Sequence, residues 1–179
     1  MARMTTDERR INFICGELGF KPDTVYEFTK MMLIEYKRRK DLMGLSIKEM
    51  TVEEAHLNKQ ELRREFLQIM QKPFEEALEC YKEFVLKVVY ATWFDEKVAQ
   101  MLDQVEDFRH VGSIYRDILE NCYFSDVPLT NDEATRSVGI GDSALDYRKR
   151  EAIKLFGISI FSLCQRRENE DIVAGIVKK

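Results

Sequence analysis

The amino-acid sequence predicts an all-α protein, a helical bundle, and three observations carry that expectation. Only 8 of the 179 residues are Gly and 3 are Pro, far fewer turn residues than a sandwich or barrel of short strands needs. Charged residues make up 34%, and the strong helix formers Glu, Lys, Arg, Leu and Met recur throughout. Apolar residues, 45% of the chain, fall largely at three- and four-residue spacing.

The elements follow in order. Thr6 caps a first helix with Asp7 and Glu8 in its first turn and Ile11, Ile14, Cys15 and Leu18 on one face. Gly19 ends it and Pro22 opens the next. That second helix carries Val25, Phe28, Met32 and Tyr36 on one face and finishes in Lys37-Arg38-Arg39-Lys40, a run that reads as a solvated helix terminus suited to the negative end of the dipole. Gly44 breaks the pattern, and Ser46 or Thr51 starts a short element. Leu57 to Gln71 is amphipathic through Leu62, Phe66, Ile69 and Met70. Pro73 marks a kink or a new first turn, followed by a helix from Phe74 to about Ala91. Trp93, Phe94, Val98, Met101, Leu102 and Val105 extend the apolar pattern up to a weakly patterned stretch, Glu106–Gly112. That stretch is the best candidate for a boundary, giving an N-terminal helical region at 1–110 and a C-terminal region at 111–179.

Charge and cysteine usage narrow the function classes. The net charge of −4 excludes a polycation that coats nucleic acid or anionic membrane, and leaves room for a small basic face on an acidic body. Residues 101–140 hold 3 Lys+Arg against 8 Asp+Glu, whereas residues 141–179 hold 8 against 6. Cys15, Cys80, Cys122 and Cys164 form no CxxC pair and read as reduced core thiols, which places the protein in the cytoplasm. The longest apolar run, Phe84–Ala91, is interrupted by Lys87 and falls far short of a membrane span.

The segment that carries most information runs from Leu129 to Leu145. Thr130 caps a short helix with Asp132 and Glu133 in its first turn. Gly139 permits a left-handed turn, with Val138 and Ile140 filling the angle. Asp142 or Ser143 caps a second helix, and Leu145 pins it to the core. Thr135 is a fairly small residue where the two helices cross. This is the layout of a helix-turn-helix. Ser143, Ala144, Tyr147, Arg148 and Arg150 form its outward set, while Lys149 tilts towards the core.

On these residues the stretch from about Val111 to Phe161 resembles region four of bacterial sigma factors. It resembles more closely the sigma-like helix-turn-helix of phage and mobile-element transcriptional regulators such as the ArpU-type late-gene activators. The matching signs are the helix Ile114–Tyr123, Leu129-Thr130, Glu133-Ala134-Thr135, Val138-Gly139-Ile140, Leu145 and Arg148-Lys149-Arg150-Glu151-Ala152-Ile153. The resemblance implies sequence-specific binding of double-stranded DNA in transcriptional control, with the second helix as reader. Tyr147 or Arg150 would then reach base edges, Ser143 and Ala144 would face the groove, and Arg148 and Lys154 would hold phosphates. The sequence departs from the pattern at Gly141, where a capping Ser is usual, and at Asp142 and Asp146, whose carboxylates oppose phosphate.

Chemistry of other kinds finds no motif. His56 and His110 sit in no metal-ligand pattern, and Glu53-x-x-His56 lacks the second copy a di-iron site needs. Gly139-x-Gly141 lacks the strand and third glycine of a phosphate loop. No cofactor, metal or enzyme activity is expected. Phe28, Met31, Met32 and Tyr36, at helical spacing, read as core before ligand pocket. The N-terminal helices suit helix–helix docking, which the domain's own core or a second copy of the chain would meet. The alternative function is a helical interaction module that contacts RNA polymerase or another protein without binding DNA.

Overall fold

The computed structural model describes residues 4–41, 52–89 and 91–176. Among these it is all-helical, with no strand. Gly44, Ser46 and Thr51 lie outside the described residues, as do the side chains of His56 and Trp93.

The helices are α1 (Thr6–Glu17), α2 (Pro22–Asp41), α3 (Val52–Met70), α4 (Phe74–Val89), α5 (Thr92–Glu106), α6 (Gly112–Leu119), α7 (Asn131–Val138) and α8 (Asp142–Val173). A 3-10 turn, Arg109–Val111, precedes α6, and a π turn, Glu120–Phe124, extends it. The N-cap of α1 is Thr5 rather than Thr6, its hydroxyl accepting from the Glu8 N–H at 2.9 Å. Pro73 stands just before α4, its carbonyl accepting from the Ala77 N–H at 2.9 Å, a place where a missing N–H costs nothing. Phe74, at the start of α4, is exposed, with its ring stacked 5.8 Å from Phe28.

α8 is the axis of the assembly. It packs against α1, α2, α3, α5, α6 and α7. From Glu151 to Ser159 every residue is buried, as expected of a helix enclosed on all sides. Gly157 does not interrupt α8. It lies where α2 crosses: a Cβ at Gly157 would run into the Thr29 hydroxyl and come within 2.9 Å of Val25 Cγ1. Aromatic rings fill the space around the axis. Phe20 meets Phe161 edge-on at 4.1 Å, Phe28 stacks on Tyr81 at 4.2 Å, and Phe124 lies 5.3 Å from Phe156. The buried Tyr81 hydroxyl donates to the Phe28 carbonyl at 2.9 Å, so α2 and α4 are joined by a satisfied polar group as well as by area.

One hydrophobic cluster includes residues on both sides of position 110. The weakly patterned stretch is a tight corner: the Asp107 and Phe108 N–H groups donate back to the Asp103 and Val105 carbonyls, and the Phe108 ring stacks 6.0 Å from Tyr115. The basic run closing α2 is also less solvated than its sequence suggests. Arg39 is buried, donating to the Val89 carbonyl and to Asp95, which also accepts from the Tyr36 hydroxyl at 2.6 Å. No helix among the described residues is long and apolar enough to cross a membrane.

Candidate nucleic-acid interface

The surface formed by α7 and the start of α8 is fixed by local rules. Thr130 and Glu133 make a reciprocal capping box: the Thr130 hydroxyl oxygen accepts from the Glu133 N–H at 3.4 Å, and the Glu133 carboxylate accepts from the Thr130 N–H at 2.8 Å. Those hydrogen bonds, from the backbone first, hold the Glu133 carboxyl below its ordinary value. Gly139 closes α7 in the left-handed region, φ 72° and ψ 30°. Its N–H and that of Ile140 both donate to the Thr135 carbonyl, at 3.0 and 3.3 Å. Ala134, fully buried, is the small residue at the helix crossing. Thr135, expected there, is half-buried and turns its hydroxyl back to the Asn131 carbonyl at 2.8 Å.

α8 begins at Asp142 with Gly141 as its N-cap and no side-chain cap, so neither Asp142 nor Ser143 fills that role. Leu145, 1% exposed, anchors its first turns. Around that anchor Gly141, Asp142, Ser143, Ala144, Asp146 and Tyr147 are all exposed. Ser143, Ala144 and Arg150 each lie three or four residues from Tyr147 and so border it on one face.

The cations expected to meet phosphate are placed otherwise. Lys154 is 1% exposed, its ammonium 3.2 Å from Glu8 and 3.1 Å from Asn12 of α1, so no phosphate reaches it. Arg148 donates to Asp7 and Glu151, both at 2.9 Å, and to the Tyr115 hydroxyl at 3.2 Å. Glu151 is buried among these groups and also accepts from the Tyr115 hydroxyl at 2.8 Å and from Thr5. Burial, then Glu151, pushes the Tyr115 phenol well above its ordinary value, which keeps it a donor. Arg150 is more open: it pairs with the exposed Asp23 at 2.8 Å and covers the Tyr26 ring at 4.7 Å. Lys149 leans inward, onto Asn131 at 3.0 Å and over the Tyr123 ring.

Sequence reading missed the α1 side of this arrangement. Asp7, Glu8 and Asn12 hold basic residues of α8 while Thr5 donates to Glu151, and the only local signal was the acidic pair Asp7-Glu8, which also suits a helix N-terminus. The exposed residues of α7 and the first turns of α8 thus include Ser143, Ala144, Tyr147, Arg136 and Arg150 together with Asp132, Glu133, Asp142 and Asp146. His110 is exposed in the 3-10 turn, and among the described residues no cluster of His, Cys, Asp and Glu is grouped to hold a metal. Compared with known proteins, the chain matches no family model, no curated protein and no solved structure.

Proposed function

We propose that the protein binds double-stranded DNA through the first turns of α8 and acts in transcriptional control, in the manner of a sigma-like helix-turn-helix of the phage or mobile-element type. The observation that carries this reading is the projection of α8. Its first two turns stand exposed on a single buried leucine, presented by a capped short helix and a left-handed glycine turn. A reader helix has to offer such a free N-terminal face to a groove. Ser143, Ala144, Tyr147 and Arg150 are the contact residues of the proposal, and Tyr147 and Arg150 are the ones long enough to reach base edges. Arg148 and Lys154 drop out of it, because α1, Tyr115 and Glu151 engage them.

With Asp142 and Asp146 on the same face, few phosphates are neutralised. Non-specific affinity is therefore weak, and a dimer reading two half-sites restores strength. Selection from a random duplex pool at two salt concentrations tests the reading. The expected result is an enriched sequence whose binding weakens with salt and falls roughly tenfold or more in Tyr147→Ala and Arg150→Ala. Absence of any retained duplex at low salt sinks it.

The acidity of Asp132, Glu133, Asp142 and Asp146 favours a second reading, an interaction module that meets a basic surface of RNA polymerase or another protein. In that case no duplex is enriched, and Asp142→Lys with Asp146→Lys abolishes the protein contact.

A further inference from the structure

A cavity of about 320 Å³ lies where α2, α3, α4, α5 and α8 meet, away from the first turns of α8. Its floor is apolar, formed by Met32, Phe66, Phe84, Phe94, Met101 and Ile160. Its polar lining carries Lys59, Arg63, Lys97 and Arg167 with Asp171.

These cations are not equivalent. Arg63 bridges α3 to α8 through Glu168, at 2.7 Å, and Asp171, so it frames the opening. Arg167 pairs with Glu170 at 2.7 Å. Lys97 is half-buried at the edge of the floor, its ammonium 3.5 Å from the Gln100 side-chain oxygen, and it makes no ion pair among the described residues. On the α8 wall, burial pushes the Cys164 thiol up to about 12, so this thiol stays neutral at physiological pH. The result is a largely apolar chamber with Lys97, which makes no ion pair among the described residues, as a cation in its lining.

We propose that this cavity binds an amphipathic monoanion, a medium-chain carboxylate whose tail lies among Met32, Phe66, Phe84 and Met101 and whose head meets Lys97. The volume sets the length. At about 30 Å³ per water-sized heavy atom, the chamber holds roughly ten such atoms, which suits a chain of about eight carbons. Small-molecule sites of this kind are mostly apolar with a few placed polar groups. A cationic ligand meets like charge at Lys97, and a neutral alcohol leaves it without a counter-charge.

Octanoate, 1-octanol and octylamine are the probes, read on protein carrying carbon-13 methionine methyls. Octanoate is expected to shift the Met32 and Met101 methyl signals saturably, with half-saturation at about 1 mM or below. Octylamine leaves them unmoved, and octanol binds at least several-fold more weakly. Lys97→Gln is expected to weaken octanoate roughly tenfold, the loss of one hydrogen bond to a charged group, without changing octanol binding. Cys164→Phe fills the chamber from α8 and abolishes both, with its thermal melt as the check on folding. The Lys97→Gln comparison decides alone if that variant does not fold. Unmoved Met32 and Met101 signals overturn the proposal, as does equal binding of octanol and octanoate, or octanoate binding indifferent to Lys97→Gln.

Discussion

Gly157 of α8 and Thr29 of α2 face each other with no room for a methyl group between them. Gly157→Ala gains about 1 kcal/mol of helix propensity and meets an overpacking cost of about 1–3 kcal/mol, because Thr29 and Val25 are both buried and cannot swing into solvent. Net destabilisation is expected, read as a lowered urea midpoint at constant m-value. In a Thr29→Ala background the same change is expected to cost about 1 kcal/mol less, as directly contacting residues couple. An additive pair would place the strain elsewhere.

Glu151 holds together Thr5, Tyr115 and Arg148, groups from three separate parts of the chain. Glu151→Leu leaves the Tyr115 hydroxyl and one side of Arg148 without their acceptor, at a cost of about 3 kcal/mol. Lys154→Met removes a buried cation whose partner Glu8 is near enough to the surface to be hydrated, and costs less. Equilibrium unfolding of the two variants gives the ranking, and a larger loss in Lys154→Met contradicts it.

Acid is expected to fray α7 selectively. The Glu133 carboxyl is held below its ordinary value of 4.5 by the Thr130 N–H and hydroxyl. Its contribution is therefore complete above that value and is lost as pH falls through the lower folded value. Asp117 has the opposite sign, since burial, then Glu120 and Glu106, push its carboxyl up, and protonation favours its folded form. Amide exchange at Thr130 and Glu133 during acid titration separates the two. Thr130→Val should remove the acid step in α7 and leave the rest of the profile in place.

The four thiols are expected to differ sharply in reactivity. Burial, partly countered by Lys154, pushes Cys15 up to about 11, and its side chain is fully enclosed. Cys80 is half-buried, with the Lys72 ammonium 3.2 Å from its sulfur. Iodoacetamide at pH 8 is expected to modify Cys80 first and Cys15 only on unfolding, as peptide mapping over time would show. Modification of Cys15 as fast as Cys80 contradicts the enclosed packing.

What was legible in the sequence was what neighbouring residues decide. The box at Thr130 and Glu133, the left-handed Gly139 and the anchor at Leu145 all depend on side chains within a few positions of the turn they build. The displaced cap from Thr6 to Thr5 is a local matter too, since adjacent threonines offer the same hydroxyl. Non-local partners were illegible. Arg148, Arg150 and Lys154 resemble a solvated basic face until α1, more than a hundred residues away, lays Asp7, Glu8 and Asn12 against them. Gly157 belongs with these, because its reason for being small is Thr29, on another helix.

The pairing of α1 with α8 also sets an order of events during synthesis. α1 is made before α8, and Lys154 and Glu151, which complete its polar face, emerge more than a hundred residues later. At about 5–20 residues per second that delay is roughly 7–30 s. Throughout it, Ile11 and Cys15, both fully enclosed in the finished fold, lack their final α8 cover. The nascent chain is thus exposed to chaperones, and to misassociation with a neighbouring chain, while α8 is still inside the ribosome.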